Sequence, residues 1–160
     1  MKRKREKNSA YFNEKNFIFL EMDINKPLDV ETETIDFMLH AASNTHPRAY
    51  ANDPIGTITT NAIATNTLLK LAAIKKCKRF VFLSSVEVYG ENKADIDKFS
   101  EDYCGYIDCN TLRAGYPESK RVAESLCQAY IRQKQLDIVI PRLSRVYGPT
   151  MLMDDSKALS

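Results

Sequence analysis

The chain has 160 residues, 44% of them apolar and 28% charged, with a formal net charge of +2. That suits one globular domain with its own core, and the excess charge is too small to argue for a nucleic-acid partner. No apolar run is long enough to span a bilayer, and the basic start (Lys2, Arg3, Lys4, Arg5, Lys7) lacks the apolar segment of a secretion signal, so a cytoplasmic protein is expected.

In chain order, residues 1–16 read as a basic, solvated arm. Residues 17–22 form a short apolar run, followed by Asp23-Ile24-Asn25-Lys26-Pro27, which predicts a strand and its exit turn. A second strand over 35–43 ends in the small residues Ala41, Ala42 and Ser43, which suit either close approach of a ligand or tight packing. Residues 57–76 carry apolar side chains at helical period and end in a basic cluster suited to a helix C-terminus. A third strand runs over 80–83, and a polar loop covers 91–110. The helix predicted for 117–134 presents Val122, Leu126 and Tyr130 along one row and Ala123, Cys127 and Ile131 along the next. Its companion strand spans 137–143, and 150–160 is a tail. Alternating strands and helices with room for crossovers imply an α/β fold built on a parallel sheet. The four cysteines, Cys77, Cys104, Cys109 and Cys127, form no Cys-x-x-Cys pair and have no histidine at metal spacing, so no metal site is expected. His40 and His46 are read as structural.

The chemistry concentrates in 114–124. Tyr116 and Lys120 stand four residues apart at the start of a helix, which stacks a phenol and an ammonium on one face. A phenol titrates at about pH 10 in water, so it works as an acid/base at neutral pH only where its phenolate is stabilised; the lysine supplies the positive charge. Chance places such a pair on many helices. The stretch 80–90 adds a buried strand ending in Ser84, Ser85 and Gly90, where parallel sheets present ligand-handling residues.

Three ordered motifs carry a resemblance: Ser84-Ser85-x-x-Val88-Tyr89-Gly90, Tyr116-x-x-x-Lys120, and Arg142-x-x-x-Val146-Tyr147-Gly148-Pro149. Together they resemble the extended short-chain dehydrogenase/reductases, the NAD-dependent epimerase/dehydratase family that remodels nucleotide sugars, over Phe17 to Pro149. The resemblance implies a Rossmann-type domain over 17–149 and NAD as cofactor. Tyr116 would be the base that takes a proton from the sugar C4 hydroxyl. Lys120 would bind the nicotinamide ribose and lower the phenol's pKa, and Ser85 would hydrogen-bond the reacting oxygen. Asp23 and Ile24 would contact the adenine, Ala41 and Ala42 would line the cofactor groove, and the helices 57–76 and 117–134 would form a homodimer contact. The blocks 101–114 and 120–124 are most similar to UDP-glucuronate decarboxylases, where Glu87 would assist the sugar-ring chemistry; epimerases also carry a glutamate there. Val86 replaces the aspartate that 4,6-dehydratases need. Arg145 stands where many relatives have a substrate-contacting asparagine, and a guanidinium there would engage a diphosphate.

Equally informative is what the sequence omits. Its glycines, Gly56, Gly90, Gly105, Gly115 and Gly148, form no phosphate-binding cluster. The 16 residues before Phe17 are too few for the strand-helix-strand unit that would carry one, which takes at least about 30. A chain truncated at both ends is therefore expected, inactive and weak in NAD binding by itself, with the 17–22 strand either moving beside the 35–43 strand or packing loosely. The alternative to an enzyme is a catalytically silent remnant or dimerising partner module of the same family.

Overall fold

The computed structural model describes residues 14–44, 47–144 and 146. The greater part of the expected basic arm, His46, Arg145 and the 150–160 tail lie outside the described residues.

Strand β1 (Phe37–His40) pairs in parallel with β2 (Arg79–Phe82), setting Phe37 opposite Arg79 and His40 opposite Phe82. Beyond Leu83 the same segment continues as β3 (Ser84–Ser85). On its other side β2 pairs with β4 (Ile138–Val139), and β3 pairs with β5 (Arg142–Leu143), again in parallel. Pro141 separates β4 from β5 because it has no N–H to give the ladder. Its carbonyl still accepts from Ser84 N at 3.0 Å, so the strand direction is kept.

The helices are α1 (Pro47–Asn52), α2 (Pro54–Thr59), α3 (Thr65–Ile74) and α4 (Gly115–Lys134). Asp53 caps α2 by accepting from Gly56 N at 2.9 Å, with Pro54 preset for the first turn. A π-helical turn, Thr60–Ala64, joins α2 to α3, so the element expected over 57–76 is one helix with a bulge in it. Helix α4 ends at Gln135 in the left-handed conformation.

The core lies between one face of the sheet and helices α3 and α4: Leu69, Ala72, Phe80, Phe82, Ala123, Cys127 and Leu136 are buried there. Burial pushes the Cys127 thiol up to about 12, which fits an inert core cysteine. The α4 rows differ from expectation at one position. Ala123 and Cys127 are fully buried and Leu126 and Tyr130 pack against the core, but Val122 is 48% exposed because the inward row begins at Tyr116 and Lys120.

The expected 17–22 strand does not form. These residues take no regular structure, and Ile18 and Leu20 are exposed. A strand is held by its ladder, and apolar composition alone does not make one. Among the described residues β1 is the edge of its sheet. The sheet face opposite the core is open, with Phe37 74% and Leu39 63% exposed.

Candidate active site

Three structural facts bring the expected residues together. The β2–β3 segment ends at Ser85, whose hydroxyl caps the 3₁₀ turn Val86–Tyr89 by accepting from Glu87 N at 3.3 Å. Gly90 closes that turn at φ 72°, with Tyr106 O 2.7 Å from where a Cβ would stand, so no other residue fits without strain. Helix α4 then lays its first turns across this strand end.

On α4, Tyr116 and Lys120 are both buried, one turn apart. The Lys120 ammonium donates to Leu83 O at 2.8 Å and lies 4.7 Å from the Phe82 ring centroid and 5.9 Å from that of Tyr116. Ser85 is near enough to the Tyr116 phenol to draw its pKa down. The next residue, Arg121, donates from Nε to Val88 O and from a terminal nitrogen to Gly105 O, each at 2.8 Å. Consecutive cations thus hold both ends of the segment that carries Ser85 and Glu87. Glu87 pairs with Arg113 at 2.7 Å. Arg113 in turn lies over the Tyr50 ring, and Tyr50 stacks on Tyr116 with centroids 5.3 Å apart.

Sequence reasoning missed the support beneath this cluster. Thr57, Asn61 and Thr65 form a buried polar row at four-residue spacing. Asn61 receives from Ser43 Oγ at 2.8 Å and donates to Ser119 Oγ at 2.9 Å, and Ser119 donates to the Tyr116 carbonyl at 2.9 Å. Thr65 gives its one hydroxyl proton to Asn61 O at 2.5 Å, so at 2.9 Å it accepts from His40 Nε2–H. That fixes the His40 tautomer and leaves Nδ1 as a buried acceptor with no partner among the described residues. The signal was the i, i+4, i+8 polar spacing inside a helix otherwise read by its apolar positions.

Electrostatics departs from one expectation. Burial holds the Tyr116 phenol above its ordinary value, outweighing the opposing pull of Ser85, and Glu87 and Tyr50 push the same way. The Lys120 ammonium is directed to Leu83 O rather than to the phenol. Burial brings Lys120 itself down to about 8, against the opposing pull of Glu124, and brings His40 down to about 4, with Lys120 adding to that effect.

The remaining candidates divide. Ala41 and Ala42 are exposed just past the end of β1, with no side-chain bulk to block a ligand. Asp23 and Ile24 lie in a surface turn where Asp23 accepts from Asn25 and pairs with Lys26. No hydrogen bond or ion pair among the described residues joins that turn to the Tyr116 cluster. Arg145 lies outside the described residues. Tested against a dinucleotide, the chain fits the nicotinamide end, where a phenol, an amine and an alcohol converge beside an open strand end. It offers no glycine-lined cradle for the pyrophosphate.

Comparison with known proteins bears on the family and the fold. The model of the NAD dependent epimerase/dehydratase family matches residues 1–160. UDP-glucuronic acid decarboxylase 1 of Xenopus tropicalis is 36% identical over 145 residues, covering 91% of this chain and 33% of the relative. UDP-glucuronic acid decarboxylase 6 of Arabidopsis thaliana is 36% identical over 144 residues, covering 90% of this chain and 40% of the relative. Among solved structures, UDP-glucuronic acid 4-epimerase from Bacillus cereus, in complex with UDP-glucuronic acid and NAD, superposes with a TM-score of 0.76 at 27% identity, over 94% of this chain and 46% of that one. The chain therefore spans between a third and just under half of the length of these relatives.

Proposed function

The chain belongs to the NAD dependent epimerase/dehydratase family, and from that premise we propose that it carries the acid/base half of a nucleotide-sugar oxidation at C4, of the UDP-glucuronate decarboxylase or 4-epimerase kind. The observation that carries the reading is the convergence of Tyr116, Ser85 and Lys120 at one strand end. Tyr116 takes the proton of the sugar hydroxyl while Ser85, able to donate and accept, holds that oxygen. Lys120 anchors the ribose hydroxyls and, turned from Leu83 O toward them, offsets the burial that now keeps the phenol protonated. NAD, when bound, supplies the hydride acceptor and a second positive charge beside the phenolate. Ala41 and Ala42 line its groove, Asp23 and Ile24 meet the adenine, and Arg145 engages the substrate diphosphate. Glu87, held by Arg113, steers protons after the oxidation. The decarboxylase assignment is supported by similarity to curated decarboxylases over 91% of the chain.

The test joins residues 17–149 to the flanking segments of the Xenopus tropicalis relative and measures CO2 release from UDP-glucuronate. The folded chimera is expected to release CO2, and Tyr116→Phe to reduce the rate by about 10²-fold or more. An inverted C4 centre with no CO2 moves the assignment to an epimerase. A second reading, a silent module that associates without catalysis, is favoured by the open sheet face, where Phe37 and Leu39 are exposed. A folded chimera inert toward the nucleotide sugar would support it. Both readings include a homodimer through the helices at 57–76 and 117–134, which expose Ile58, Ile63 and Val122. Among the described residues no helix is long and apolar enough to cross a membrane.

A further inference from the structure

The strand end and helix α4 meet in a register that extends beyond the residues used above. Leu83 O grips Lys120, and Ser84 Oγ donates to Glu124 Oε1 at 2.6 Å. Two successive residues of the strand end thus hold residues on two successive turns of the helix. Glu124 also receives Arg142 through Nε at 3.1 Å and through a terminal nitrogen at 2.8 Å. Arg142 is the residue opposite Ser84 in the β3–β5 pair; it further donates to Glu101 O and lies 4.8 Å from the Tyr89 ring centroid. Bidentate pairing of this kind fixes geometry as well as charge. Glu124 borders a cavity of about 330 Å³ walled by Tyr89, Glu101, Gln128 and Arg142, while its own side chain is 14% exposed.

We propose that Glu124 is a positioning residue of the active site: gripped by Ser84 and Arg142, it sets where α4 sits on the strand end, and it stands one helical turn from Lys120 on the same face. As a role in catalysis, this rests on the reading of Tyr116 and Lys120 as the acid/base pair. The charged and titratable groups around Lys120 are His40 from β1, Tyr116 and Glu124 from its own helix, and Arg142 from β5 behind Glu124. His40 is neutral at ordinary pH and Tyr116 is protonated. Glu124 is therefore the anion that opposes the burial of Lys120.

The test is the titration of Lys120, followed by carbon NMR of the full chain labelled at lysine Cε, a readout that needs no cofactor or substrate. Glu124→Gln keeps the hydrogen-bonding shape and removes the charge, so the Lys120 midpoint is expected to fall by about one pH unit. Arg142→Met leaves Glu124 unneutralised and is expected to raise it, and Glu124→Asp to restore most of the parent value. A merely structural role would not give shifts of opposite sign. A folded Glu124→Gln chain with the Lys120 midpoint unmoved overturns the proposal. If that variant does not fold, Arg142→Met decides: a raised midpoint supports the proposal and an unmoved one overturns it. Failure of the chimera to turn over nucleotide sugar leaves these titrations intact, so the two readings fail separately.

Discussion

His40 is the residue whose protonation most directly opposes folding. Burial holds its folded pKa at about 4, below the 6.5 of an exposed imidazole, so between those values the unfolded chain binds the extra proton and stability falls as pH falls. Between pH 7 and pH 5 the expected loss from this group is about 2 kcal/mol. Gln in its place can still donate to Thr65 and cannot titrate. Urea unfolding of the parent and of His40→Gln at both pH values is expected to show a smaller acid loss in the variant; equal losses would refute this role. Lys120 acts with the same sign in a higher pH window. Its lowered value means that stability rises with pH from about 8 to the ordinary lysine range, and that a charged amine is held in the core at a cost of about 3 kcal/mol. Such a cost is what a site needing a cation next to a phenol has to bear. The placing of Tyr116 and Lys120 one turn apart was readable from spacing because it depends on local periodicity, whereas Ser85 was read from its place at a strand end and from the family resemblance. The unpartnered Nδ1 of His40 was not, since it follows from where Thr65 sends its one proton.

Elements hold these residues through a few polar clamps. Arg121 ties α4 to the turn Val86–Tyr89 and, through Gly105, to the antiparallel bridge between Glu91 and Tyr106. Arg121→Ala leaves the Val88 and Gly105 carbonyls without their charged donor and is expected to cost about 2 kcal/mol in urea unfolding. Hydrogen exchange gives the sharper readout. The amides of Gly105 and Glu91, bonded to Tyr89 O and Tyr106 O, should lose protection while that of Phe80 in β2 keeps it. Unchanged exchange at Gly105 and Glu91 would show that the loop is held by other means. The strands β1, β2 and β4 and helix α4 were legible as elements because their apolar patterns are strong and their partners lie within this chain. The π turn at Thr60–Ala64 was hidden, since a bulge changes hydrogen bonding without changing which residue types helices favour. The pairing of Glu124 with Arg142 was hidden for another reason: it joins residues 18 apart across a strand and a helix, and neither stretch announces the other.

At the scale of the whole molecule, the 17–22 run shows the limit of reading strands from composition, because a β-strand exists only when a neighbour completes its ladder. The exposed side chains of Ile58, Ile63 and Val122 lie on the two helices expected to form the homodimer. Sedimentation equilibrium is expected to find the parent as a dimer and Val122→Lys as a monomer, since a charge buried in an apolar contact has no compensating partner. A monomeric parent would remove association from both functional readings. The grip of Leu83 and Ser84 on Lys120 and Glu124 has a further consequence for how this lineage can change. Side chains alternate along a strand, so losing or gaining a single codon between β2 and the 3₁₀ turn would turn Ser84 away from Glu124 and shift the Leu83 carbonyl from Lys120 at one stroke. Point substitutions can wear the site down by degrees, but length changes in that stretch abolish all of it together, and descendants with a working site should keep its spacing even where the surrounding loops drift.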